Sequence, residues 1–152
     1  MGTPWTFGGK FIEERAAAAL PQTAAASIFR IAGGKVRIKS IIGEVTTVIQ
    51  TQANNTKLKF TSTSPGSTTD LCAVLDITAK AVGSLFSITG TLATAMKVTT
   101  NDMVVPADDI PAQGMVLGPG DIKLDCAASN TGAVKWTVEW EPVDGAGNLV
   151  AV

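Results

Sequence analysis

The chain has 152 residues, enough for one domain; 45% are apolar, only 16% are charged, and the net charge is −1. A chain this close to neutral has no overall field to draw it to nucleic acid or an anionic membrane. It has no histidine, which excludes Ser-His-Asp and Cys-His catalysis and histidine-ligated metal sites.

Soluble domains usually carry about a quarter charged residues. A chain with fewer either has much of its surface covered by neighbours, as interface cores are, or has a surface made polar by threonine and serine. The charge is also unevenly placed, +4 up to Gly43 and −5 from Glu44 onward. That division suits head-to-tail contact between copies or contact with an acidic partner surface; chance would also produce it. No run of about eighteen apolar residues predicts a membrane span. The start of the chain, "MGTPWTFGGKFIEERAAAALP", lacks the basic flank and the apolar length of a secretory signal.

Residues 1–24 read as a separate arm. "MGTPWTFGGK" is glycine-rich with two isolated aromatics, Trp5 and Phe7, and "FIEERAAAAL" is a run of helix formers that Pro21 stops. The expectation is an extended arm containing a short helix, docked through its aromatics on its own body or on a neighbour. From residue 25 the pattern is β. "SIFRIA" leads into a Gly33-Gly34 turn, and "KVRIKSII" alternates Val36 and Ile38 against Arg37 and Lys39. Gly43 is expected to mark a bulge or bend before "EVTTVIQTQ". "KLKFTST" sets Leu58 and Phe60 against Lys57 and Lys59, "TDLCAVLDITA" is dense enough to be buried on both faces, and "GSLFSITGTLATAMKVTT" carries Gly90 in its interior. Pro106, Pro111 and Pro119 keep the next segment out of any central strand. The chain closes on "GDIKLDCAASNTGAVKWTVEWEP", read as two strands around the polar turn "SNTG". In it Ile122, Leu124 and Cys126 share one face, as do Val134, Trp136, Val138 and Trp140. Trp136, Trp140, Ile122 and Leu124 are therefore core candidates, and packing accounts for the tryptophans.

Eight to ten short strands with almost no helix predict an all-β protein, an antiparallel β-sandwich or jelly roll over residues 25–152. Cys72 and Cys126 match no zinc or redox spacing and read as buried free thiols, with a disulfide as the alternative. The carboxylate pairs Asp108 and Asp109, Asp121 and Asp125, and Asp70 and Asp76 read as solvated groups, with calcium binding and glycoside hydrolysis as the chemistries they would otherwise serve. Asn54-Asn55-Thr56 is a glycosylation sequon that reads as a turn. Arg37 and Lys39, near Arg30 and Lys35, read as a solvated strand face without the interleaved aromatics that nucleic-acid binding uses. No metal, cofactor or catalytic residue is assigned, and the chain is expected not to be an enzyme.

The stretches "SIFRIAGGKVRIKSIIGEVTT", "TDLCAVLDIT", "GSLFSITGT" and "SNTGAVKWTVEWEPVDGAGNLVAV" resemble small structural proteins of tailed-bacteriophage virions, and most of all their β-rich capsid decoration, or cement, proteins. The resemblance covers residues 25–152 and rests on texture, not on a diagnostic motif. It implies a protein made in the host cytoplasm that sits on the capsid surface of the virion, binding the major capsid protein and itself, as a homotrimer, without touching nucleic acid or membrane. The arm residues Trp5, Phe7 and Arg15 are the candidates for partner contact. A carbohydrate- or receptor-binding sandwich, with a site at Asn101, Asp108, Asp109 and Gln113, is the alternative of another class. A phage tail or baseplate protein is the alternative of the same class.

Overall fold

The computed structural model describes residues 11–99, 102–105 and 114–152. These hold twelve strands and no helix: β1 (Phe11–Ala19), β2 (Ala25–Ala32), β3 (Val36–Thr47), β4 (Asn55–Ser62), β5 (Thr68–Asp70), β6 (Leu75–Asp76), β7 (Leu85–Ser87), β8 (Lys97–Thr99), β9 (Met115–Leu117), β10 (Gly120–Cys126), β11 (Ala133–Pro142) and β12 (Asn148–Ala151). They form two antiparallel sheets. Sheet I runs β1-β11-β3-β7-β8, with β9 also on β3; sheet II runs β12-β2-β10-β4-β5, with β6 also on β4. The longer strands are those whose sequences alternate most cleanly, and burial alternates with them at every residue of β10 and from Ala133 to Glu141 of β11. One hydrophobic core, supplied by the inner faces of both sheets, includes Phe29, Ile38, Leu58, Ile122, Leu124, Trp136 and Trp140.

Four local expectations change. The run "FIEERAAAAL" is not helical: Phe11–Ala19 is a strand, paired antiparallel with β11 from Phe11↔Trp140 to Ala19↔Ala133 around a bulge at Ala16 and Ala17. A helix of ten residues is marginal by itself in water, whereas β11 has a whole side of peptide groups that need partners. Tertiary pairing overrides the alanine and glutamate propensities, and residues from Phe11 onward are built into the sandwich.

The closing ribbon is not a hairpin either. β10 lies in sheet II between β2 and β4, and β11 lies in sheet I between β1 and β3. Both strands need an apolar partner for the same face. They meet across the core, and the turn crosses from one sheet to the other. Asn130 holds that crossing: fully buried, it donates its amide to Gln50 O and Gln52 O at 3.2 and 2.8 Å. Asn54, also buried, holds the other side by donating to Ala128 O at 3.2 Å and accepting from Ala128 N at 3.1 Å. The sequon asparagine is thus spent on packing.

Gly43 is not a bulge. β3 continues through it in register with Trp136, and a Cβ there would stand 2.7 Å from the indole ring. The irregularities fall at the Ala133/Val134 and Glu139/Trp140 steps, where β3 carries an extra residue. The second of these, at Lys39, shifts the phase of β3, so that Ile41, Gly43 and Val45 continue inward after Ile38. Gly90 (φ +81°) lies between β7 and β8, not inside a strand.

Candidate partner-binding face

The inner faces are similar, but the outer faces of the two sheets differ in chemistry. On sheet II the outward positions form a lattice of ion pairs. Arg30 grips Asp121 through Nε and Nη2 at 2.9 and 3.1 Å, Lys59 pairs with Asp125 at 2.9 Å, and Lys57 with Asp70 at 2.8 Å. Ser27 Oγ adds a hydrogen bond to Asp121 at 2.6 Å. The Arg30 hydrogen bond, with Ser27 behind it, holds the Asp121 carboxyl below the usual range. Beside this pair is a polar hollow of about 270 Å³ lined by Arg30, Thr61, Ser62, Gly120, Asp121 and Lys123.

On sheet I the outer face has a centre in which Glu139 is surrounded by isoleucine, serine and threonine. Ile12 stands opposite Glu139, which stands opposite Ser40; in the next row Thr137 stands opposite Ile42, which stands opposite Ser87. A shallow hollow of about 380 Å³ is lined by Ile12, Ser40, Ile42, Thr137 and Glu139. Ile12 is 70% exposed, more than any other large apolar side chain described. Charge gathers at the rim, where Lys135 sits between Glu14 and Glu44 at 3.7 and 3.8 Å. The face offers apolar area and hydroxyls for contact, with no charge to desolvate at its centre except Glu139. The inner side of β1 is occupied by the chain itself. The Phe11 ring lies 4.9 Å from the Trp140 ring. Glu13 Oε2 accepts from Ala151 N at 2.9 Å, and Arg15 Nε donates to Val152 O at 2.9 Å. These two side chains close the gap between the edge strand of sheet I and that of sheet II.

The residues singled out from sequence fall as follows. Trp136, Trp140, Ile122 and Leu124 are buried, and the Trp136 indole N–H has no hydrogen-bond partner. Arg15 clasps the C-terminal strand and is half-buried, which lowers its pKa. Trp5, Phe7, Asn101, Asp108, Asp109 and Gln113 lie outside the described residues. The remaining carboxylates do not converge: Asp70 and Asp125 pair with separate lysines, and Asp76 accepts from Asn54 N, Thr78 N and Thr78 Oγ1, which depress its pKa. No group of three potential metal ligands exists among the described residues. Cys72 and Cys126 are buried free thiols, and burial raises the pKa of both. Arg37 is paired with Glu141 at 3.0 Å. Sequence reasoning missed Ile12, Ile42 and Thr137. The available signal was Ile42, an apolar residue next to Ile41 that must face outward if Ile41 faces inward.

No family model matches the chain, and no curated protein matches it. Among solved structures, "Structure of infectious bursal disease virus Gx strain" is similar over 92% of this chain and 35% of that one, with 12% identity and a TM-score of 0.29; a likeness that weak carries no argument.

Proposed function

We propose that this chain is a non-enzymatic structural protein of a virion, a decoration or cement protein that binds the assembled capsid lattice as an oligomer. The observation that carries this reading is the unequal treatment of the two outer faces. Sheet II carries the ion pairs Arg30–Asp121, Lys59–Asp125 and Lys57–Asp70 across its outer face, while sheet I presents Ile12, Ile42 and Thr137 as a surface suited to being covered. The winding supports the same reading. β1, β11 and β3 lie side by side in sheet I while β2, β10 and β4 lie side by side in sheet II, so the chain passes to the other sheet after β1, β2, β3, β10 and β11 and stays in sheet II from β4 to β6. Such interleaving is in keeping with a jelly roll, an architecture that serves viral capsid and lectin domains. Partners are the major capsid protein and further copies of this chain, in the homotrimer that the phage resemblance implies. Binding only the assembled shell would stabilise that shell by mass action.

The test is co-sedimentation of the purified protein with shells that lack it. Burying an isoleucine contributes about 1.5–3 kcal/mol, so Ile12→Lys and Ile42→Lys should each weaken binding roughly tenfold or more while circular dichroism stays unchanged. Equal binding by parent and variants would overturn the assignment of this face. Binding to isolated tails and not to heads would move the protein within the virion. A specific glycan hit on an array without shell binding would favour the carbohydrate-binding alternative.

A further inference from the structure

Strands β2, β10, β4 and β5 carry one cation more than their ion pairs use. The basic residues Arg30, Lys57, Lys59 and Lys123 stand against Asp70, Asp121 and Asp125. The pairs Arg30–Asp121, Lys59–Asp125 and Lys57–Asp70 leave Lys123 without an ion pair among the described residues. In the register Lys123 stands between Ser27 on β2 and Lys59 on β4. Like charges directly opposite one another destabilise a sheet, and an anion at Lys123 would relieve that repulsion. Lys123 also lines the polar hollow of about 270 Å³ on this face, together with Arg30, Thr61, Thr63 and Asp121.

The hydrogen-bonding capacity left in the hollow defines what fits it. Arg30 uses Nε and Nη2 on Asp121 and keeps the donors of Nη1. Lys123 keeps its ammonium donors, and the exposed Thr63 hydroxyl has no hydrogen bond among the described residues. Asp121 Oδ2 accepts from both Ser27 and Arg30, whereas Oδ1 accepts from Arg30 Nε alone. A carboxylate oxygen accepts two bonds, so Oδ1 has one site to offer. We propose that this hollow binds a singly charged anionic group, a carboxylate or a sulfate ester, carried on a sugar. Arg30 Nη1 and Lys123 Nζ take the anionic oxygens, and Asp121 Oδ1 and Thr63 take ring hydroxyls. The preference for one charge follows from the residues present. Arg30, Lys123 and Asp121 sum to +1, which a single negative charge neutralises. A phosphate monoester brings about −1.5 to −2 at neutral pH, an excess that would stand beside the Asp121 carboxylate. A bare inorganic ion would leave Asp121 Oδ1 and Thr63 unused. The volume is just under the roughly 300 Å³ at which small-molecule pockets begin, which suits one sugar unit. The site lies on the outer face of sheet II, away from the face assigned to the shell, and does not depend on that assignment.

Titration of the full chain, followed through its amide chemical shifts, tests the site. The probes are glucuronate, a glucose sulfate, a glucose phosphate, glucose and inorganic sulfate at one ionic strength. Glucuronate or the glucose sulfate should give saturable shifts at Arg30, Thr63 and Lys123, and whichever binds more tightly identifies the acidic group. Lys123→Ala should weaken that binding at least about fivefold, with circular dichroism unchanged. Lys57→Ala removes the same charge from the same face outside the hollow and should change it by less than about twofold. No saturable shift with either acidic sugar would overturn the proposal. Equal losses in Lys57→Ala and Lys123→Ala would replace the site by the general field of the sheet. Inorganic sulfate binding as tightly as the sugars would reduce it to an adventitious ion only, and equal binding of glucose or tighter binding of the phosphate would overturn the charge assignment.

Discussion

Sheets I and II enclose one core and both pair charges on their exteriors, yet they differ in what stands at the centre of the outer face. Sheet II uses aliphatic and phenylalanine side chains inside and paired charges outside, so each outward lysine or arginine in the lattice has a carboxylate neighbour. Sheet I holds both buried tryptophans of the described chain inside, makes room for one of them with Gly43, and leaves its outer centre to isoleucine, serine and threonine around Glu139. The difference teaches that sequence alternation alone does not distinguish a strand whose outer face is ion-paired from one whose outer face is left to isoleucine and threonine. Outward apolar residues on adjacent strands make that distinction.

Four measurements would break or sharpen this contrast. The largest effect belongs to the core of sheet I. Trp136→Ala should cost about 3–5 kcal/mol, read as a fall in the denaturant midpoint. Trp136→Phe should cost much less, because it also removes a buried N–H without a partner. If Ile122→Ala in sheet II proved the more damaging change, the weight assigned to the tryptophan sheet would be misplaced. Next, Gly43→Ala should cost about 1–3 kcal/mol, since its Cβ would press on the Trp136 ring. Combined with Trp136→Phe the loss should be less than additive; strict additivity would show that Gly43 is needed for something other than the ring.

A smaller effect tests the ion-paired exterior of sheet II. The Arg30 hydrogen bond holds the Asp121 carboxyl below its ordinary range. The stabilisation is therefore complete above the unfolded value of about 3.9 and is lost as pH falls through the lower folded value. Asp121→Asn should lower stability by a constant amount at neutral pH, and the gap to the parent should close in strong acid. A gap that persists there would mean that the carboxylate charge is not what matters. The smallest effect on stability is expected from Ile12→Lys, within about 0.5 kcal/mol, since the side chain is 70% exposed. A large loss of stability on this change would mean that Ile12 is packed in the folded chain and is not a free contact residue.

Much of the fold was legible because strand alternation is a local property. In β4, β10 and β11 each apolar residue two positions from the last implies one buried face, and the burial pattern of those strands follows it. The strand Phe11–Ala19 was not legible. Alanine, glutamate and arginine favour a helix when nothing else is present, and what decides against it is the row of peptide groups on β11, about 120 residues away in sequence. The crossing at residues 127–132 was also hidden. Asparagine and glycine suit a tight hairpin and an inter-sheet turn equally well, and the bonds from Asn130 to Gln50 and Gln52 depend on a loop remote in the chain. The candidate face was hidden for the same reason, being assembled from Ile12, Ile42 and Thr137 on three strands.

By itself, the sequence determined that this protein is built of two-faced strands around an apolar interior, because side-chain periodicity is written residue by residue. It also excluded any chemistry that depends on histidine. Only the tertiary structure decided which sheet each strand joins, that the first helix-like run becomes an edge strand, and which outward isoleucines come together on one surface. The reason is physical. Every residue but proline offers the same peptide N–H and C=O, so strand partners are chosen by burial and edge closure across the whole molecule, not by any local signature.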